Sequence, residues 1–156
     1  LVSSVLPFRL QTADNPGGTE QGAFDQTAQA LRDDRARFFT GFFEKFFGVS
    51  ATARPVSDEL LQWARGVAMQ ASLRATLECL KSFSSTDFRG DLPAFTVPTL
   101  LIHGTQDQTV PIDASARAAL PGLAHGALIE YEGSPHGVFA TDKARLTRDL
   151  LAFLAH

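Results

Sequence analysis

The stretch that most constrains this chain is "FTVPTLLIHG", residues 95–104. After Pro98 it is continuously apolar until it ends at His103-Gly104. A strand with one wet face alternates, whereas an unbroken apolar run belongs to a strand covered on both faces, as in parallel sheets flanked by helices. The segments that follow agree. "PIDASARAAL" (111–120) reads as a helix capped by Asp113. "GALIEYEG" (126–133) reads as a second strand, more polar and so nearer the sheet edge. "TDKARLTRDLLAFLAH" (141–156) reads as an amphipathic helix on Leu146, Leu150, Phe153 and Leu154. Strand, helix, strand, helix predicts parallel strands joined by right-handed crossovers.

A third, short buried strand is expected at Leu1–Val5, ended by Pro7 and a turn at "DNPGG" (14–18). Between it and the α/β part lies a stretch of different grammar. No proline occurs from Thr19 to Gly48, and Phe38, Phe39, Phe42, Phe43, Phe46 and Phe47 recur at one- and four-residue steps, the spacing of one helical face. Gly48 is the expected stop. Ser57, followed by Asp58 and Glu59, opens a further helix with an apolar stripe through Leu60, Leu61, Ala64, Val67, Ala68 and Ala71. Another follows near 72–83 on Leu73, Leu77 and Leu80. The organisation expected is an α/β part at 1–18 and 89–156, with an all-helical block at 19–88 inserted.

An apolar content of 44% suits a globular core, and the formal charge of −3, with no basic patch, argues against nucleic acid as a partner. No apolar run is long enough to span a bilayer, so no membrane association is expected. The lone Cys79 allows no internal disulfide, which favours a reducing, cytoplasmic setting; placed mid-helix, it reads as an inert small apolar residue. The only methionine is Met69, and the chain opens within an apolar β-branched run, so it is expected to be the C-terminal part of something longer.

Ligands of open α/β sheets sit at the C-terminal ends of the strands. Two polar groups stand there: Asp107 after the first strand, and His136, in "EGSPHGVF", after the second. Neighbouring parallel strands bring such residues together. An acid there holds a histidine in one tautomer, and the histidine then acts as a base on a hydroxyl. Taken singly, an Asp after a strand is usually a turn former and a loop His is usually solvated. Together, in that order and at equivalent strand ends, they point to function. No serine carries the G-x-S-x-G surroundings of a strained nucleophile, and "GSPHG" (133–137) has the wrong spacing. His103, His125 and His156 read as structural or loop residues. No metal-ligand spacing is visible.

"IHGTQDQTVPIDAS" and "YEGSPHGVFATDKARLTRDLLAFL" resemble the end of the α/β-hydrolase fold. With "LVSSVLPFRLQTADNPGG", the helical block and "ASLRATLECLKSFSSTDFRGDLPAFTVPTL", the likeness narrows to the cofactor-free (non-heme) haloperoxidase, arylesterase and γ-lactamase branch and covers nearly the whole chain. The resemblance implies the C-terminal part of that fold: three mostly parallel strands with crossover helices, and a helical cap at 19–88. It implies Asp107 and His136 as the acid and base of a Ser-His-Asp triad. The nucleophile, the oxyanion hole and five further strands then belong to an N-terminal half outside this chain. Leu6, Pro7, Val138 and Phe139 would flank the substrate pocket.

The activity implied is a serine hydrolase working on esters without a cofactor, with hydrogen peroxide or lactams as further small substrates. The expected partner is the N-terminal half or, by self-association, a second copy. Two other readings stay open: an inactive fragment that self-associates, and a binding module that uses the phenylalanine-rich block.

Overall fold

The computed structural model describes residues 1–155. Three helices come first: α1 (Gln21–Phe46), α2 (Asp58–Gln70) and α3 (Leu73–Ser85). After a 3-10 turn at Arg89–Ala94, the α/β part runs β1 (Thr99–Gly104), α4 (Ala116–Ala119), β2 (Gly126–Tyr131), α5 (Val138–Thr141) and α6 (Lys143–Leu154). The two strands are parallel neighbours, with Thr99 opposite Gly126 and Gly104 opposite Tyr131. Their C-terminal ends therefore stop side by side.

β1 is buried throughout because both its faces are covered. Successive side chains point to opposite faces. Leu101 enters a core with Leu6, Leu92, Ile112, Ala116, Ala119 and Leu123. Leu100 and Ile102 enter the other, with Tyr131, Val138 and Leu146. β2 is more exposed, as its polar sequence predicts for an edge. The expected third strand is shorter than the sequence suggests. It pairs with β1 through a single parallel bridge, Val2 to Ile102, supported by Ser3 N–H donating to the Ile102 carbonyl and Ile102 N–H to that of Leu1, both at 2.9 Å. Leu1 and Val2 are 42% and 37% exposed rather than buried, since among the described residues nothing pairs with their outer edge.

Two further expectations change. The helix at 111–120 is broken into a 3-10 turn (Ile112–Ala114), α4 and a second 3-10 turn (Leu120–Gly122). Ser115 causes the break with φ −137° and ψ −96°. Its hydroxyl donates to the Pro111 carbonyl at 2.7 Å. Asp113 caps nothing; it pairs with Arg117, which also grips Glu130. On α6, Leu146, Leu150 and Phe153 face the core, but Leu154 is 75% exposed. His156, the end of the predicted helix, lies outside the described residues.

The helical block is built on capping chemistry. Ser57 and Ser72 accept from the Leu60 and Ala75 amides and start α2 and α3. α1 is not one straight helix. Asp34 leaves helical geometry (φ −154°, ψ 86°), and its carboxylate accepts from Arg37 N–H at 2.9 Å, so it caps the second half. Arg35 at the same kink donates to the carbonyls of Ala71 and Met69 and seals the end of α2. Gly48, at φ +72°, closes α1: its amide donates to Lys45 and that of Val49 to Glu44, a Schellman pair that needs a left-handed residue. The six phenylalanines form a continuous ladder of ring contacts from Phe38 to Phe47. Phe39 and Phe47 are buried in the core, whereas Phe38 and Phe42 face a cavity.

Candidate active site

The loops after β1 and β2 are stitched together. Thr105 N–H donates to the Tyr131 carbonyl and Gln106 N–H to that of Ser134, both at 3.0 Å. Gly133 N–H donates to the Thr105 hydroxyl at 2.9 Å. Gly104 permits this approach, because a Cβ there would run into the Ser134 and Pro135 carbonyls. The stitched loops place Asp107 beside His136, 29 residues further along the chain.

Asp107 is fixed at both oxygens. Oδ1 accepts from the amides of Thr109 (2.8 Å) and Val110 (2.7 Å), a turn that its own sequence position builds. Oδ2 lies 2.7 Å from Nδ1 of His136. Burial alone would raise its pKa; hydrogen bonds from His103 and His136 and from the Val110 amide outweigh it and hold the acid at about 2. Asp107 is therefore a carboxylate near neutral pH and can only accept. Nδ1 of His136 must donate, which leaves the lone pair of a neutral ring on Nε2. The His136 ring makes no other hydrogen bond among the described residues. The edge of Phe46 meets it at 4.6 Å between centroids, and Ser3 donates to the His136 carbonyl at 3.0 Å.

His103, a structural residue by its sequence, turns out to touch this pair. Its Nε2 lies 2.8 Å from the Val110 carbonyl and 3.0 Å from Asp107 Oδ2. Both partners are acceptors, so Nε2 carries the proton. Nδ1 is buried without a partner. A histidine inside an apolar run, four residues before an acid, is the signal that could have found this contact.

His136 lies in the wall of a cavity of about 1420 Å³ between the strand ends and the helical block. The block contributes Phe24, Leu31, Phe38, Phe42, Leu80 and Phe83. Cys79 also reaches this wall and is exposed, not packed away. The four pocket candidates lie elsewhere. Leu6 and Val138 fill the two cores that β1 feeds. Pro7 is buried, and Phe139 is 51% exposed against Phe46 and Phe47. Adjacency in sequence to the loops did not place them on the cavity: the cores that β1 feeds claim Leu6 and Val138, and the α1 ring Phe46 and its neighbour Phe47 hold Phe139. Arg9, three residues beyond Leu6, does line it.

No family model matches the chain. It is 40% identical to a putative non-heme chloroperoxidase from Synechocystis sp., over 99% of this chain and 56% of that protein. It is 33% identical to a bifunctional esterase/perhydrolase from Acinetobacter calcoaceticus, with the same coverage. In structure it matches a bromoperoxidase from Bacillus anthracis at a TM-score of 0.94 and 31% identity, over 99% of this chain and 56% of that one. The chain thus spans about 56% of the length of the relatives it matches. In sequence and in fold it is similar to the non-heme haloperoxidases of the α/β-hydrolase superfamily, over their C-terminal part.

Proposed function

We propose that this chain supplies the acid and the base of a Ser-His-Asp triad in a serine hydrolase acting on small esters. Asp107 is the acid and His136 the base. The attacking serine and the oxyanion donors come from a segment outside this chain. One observation carries the reading: an ionised, backbone-anchored Asp107 lies 2.7 Å from His136 Nδ1, and the ring lines an apolar cavity with Nε2 unpartnered among the described residues.

In that arrangement Nε2 takes the serine proton as the oxygen attacks the ester carbonyl, then returns it to the departing alcohol. Asp107 holds the ring and stabilises the imidazolium. Water, activated at the same nitrogen, releases the acid and regenerates the serine. Hydrogen peroxide in place of water would release a peracid, in keeping with the perhydrolase among the relatives. Lactams are a further acyl class for the same steps. Without the serine, the chain alone is expected to lack turnover, a loss on the order of a millionfold.

A second reading, self-association without catalysis, draws on the exposed apolar side chains of Leu1, Val2, Leu151 and Leu154. The test of the first is hydrolysis of 4-nitrophenyl acetate by the parent protein. Turnover abolished by His136→Ala supports it, and turnover that survives this change sinks it. Size-exclusion of the isolated chain tests the second, which a monodisperse monomer would overturn.

A further inference from the structure

Arg9 is 6% exposed, yet it pairs with no carboxylate among the described residues. Its one side-chain hydrogen bond runs from Nη2 to the Thr19 hydroxyl at 3.2 Å. Nε is fully buried and donates to nothing. The guanidinium leans on the ring of Phe83 at 6.0 Å, a weak contact at that distance. A buried cation without an anion is costly and normally finds a counter-charge. The same side chain forms part of the wall of the cavity that His136 lines. Burial pushes its pKa down, with the charge of Asp107 opposing. Asp107 cannot serve as its partner: Oδ1 is taken by two amides and Oδ2 by two imidazoles.

Among the described residues no counter-charge is present, and the cavity that Arg9 lines is the space that can hold one. We propose that Arg9 is an anion-recognition residue that selects substrates carrying a carboxylate in addition to the ester. A guanidinium matches a carboxylate with two parallel N–H donors, which a neutral acyl chain cannot use. The phenylalanine and leucine side chains of the helical block enclose the apolar chain between the two groups. The substrate class is the monoester of a dicarboxylic acid, or an ester whose alcohol part bears the acid. This assignment rests on the hydrolase reading for its substrate, but not for the binding of the anion.

Two measurements on the parent protein separate the two ideas. The first compares kcat/KM for mono-4-nitrophenyl adipate with that for 4-nitrophenyl hexanoate, and for 4-acetoxybenzoate with that for phenyl acetate. Arg9→Met is expected to lower the charged-to-neutral ratio roughly 10–100-fold in one of these pairs, which tells whether the acid sits in the acyl or the alcohol part. Arg9→Lys should recover part of it. An unchanged ratio in both pairs overturns the proposal. The second needs no turnover: titration with adipate, followed at the Arg9 Nε–H signal by NMR, the signal being assigned by its absence in Arg9→Met. A saturable shift supports an anion site even if no ester is hydrolysed, an outcome that would sink the hydrolase reading alone. A signal that adipate never moves overturns the anion site even if both esters turn over.

Discussion

His103 Nε2 lies 3.0 Å from Asp107 Oδ2, with both side chains closed to solvent. The acid thus serves two imidazoles: His136, which faces the cavity, and His103, which is sealed behind it. Removing the hidden donor tests what it contributes. His103→Phe keeps a ring of similar breadth but deletes the N–H, and a hydrogen bond to a charged group is typically worth about 1.5–3 kcal/mol. The Asp107 pKa should rise from about 2 towards the ordinary 3.8. We expect kcat on esters in the parent protein to fall roughly tenfold, with KM little changed. His103→Gln, which retains an N–H donor, should recover part of the loss. A His103→Phe protein with full kcat would show that His103 only fills space.

Acid should find the same acid from another direction. The folded value of about 2 lies below the ordinary 3.8, so the native state binds the proton less tightly than the unfolded chain does. The stability from this group is present in full above about pH 4 and is lost as pH falls towards 2, at most roughly 2 kcal/mol. Urea titrations across that window should show a steeper loss for the native chain than for Asp107→Asn. Parallel curves would remove Asp107 as the cause.

The orientation of His136 depends on Oδ2 being an acceptor. In Asp107→Asn the carbonyl oxygen is claimed by the Thr109 and Val110 amides, which turns the NH2 group towards Nδ1. His136 would then be held with its proton on Nε2, the wrong tautomer for a base. We expect kcat in the parent protein to fall by about 10⁴ with the fold retained. A loss of tenfold or less by steady-state kinetics would refute the assigned roles.

Gly104 holds the two strand-end loops in contact. Gly104→Ala puts a methyl group against the Ser134 and Pro135 carbonyls, which are backbone and cannot swing away. A destabilisation of about 3 kcal/mol is expected, as for overpacking of a rigid site. A thermal melt within a degree or two of the native protein would falsify the contact.

The expectations that survived rest on short-range rules. The continuous apolar run at 99–104 became a strand buried on both faces because its composition left no face for water. Ser57, Ser72 and Gly48 became caps because their local chemistry allows little else. Asp107 and His136 met, at 2.7 Å, because neighbouring parallel strands end side by side. Two misses share a local cause, side-chain hydrogen bonds to nearby backbone groups that compete with a regular helix. Ser115 found the Pro111 carbonyl and broke a helix that periodicity predicts. Asp34 capped from within and kinked α1.

By itself, then, the sequence determined the parallel strands, the helical block and the meeting of Asp107 with His136, because these follow from periodicity, capping and strand order. Only the tertiary structure decided that His103 reaches Asp107, that Arg9 is buried on the cavity wall without a counter-charge, and that Leu6 and Val138 belong to the core. Those are statements about which surfaces are desolvated together. Desolvation is set by whatever packs from elsewhere in the chain, so a residue's own neighbours in sequence do not encode it.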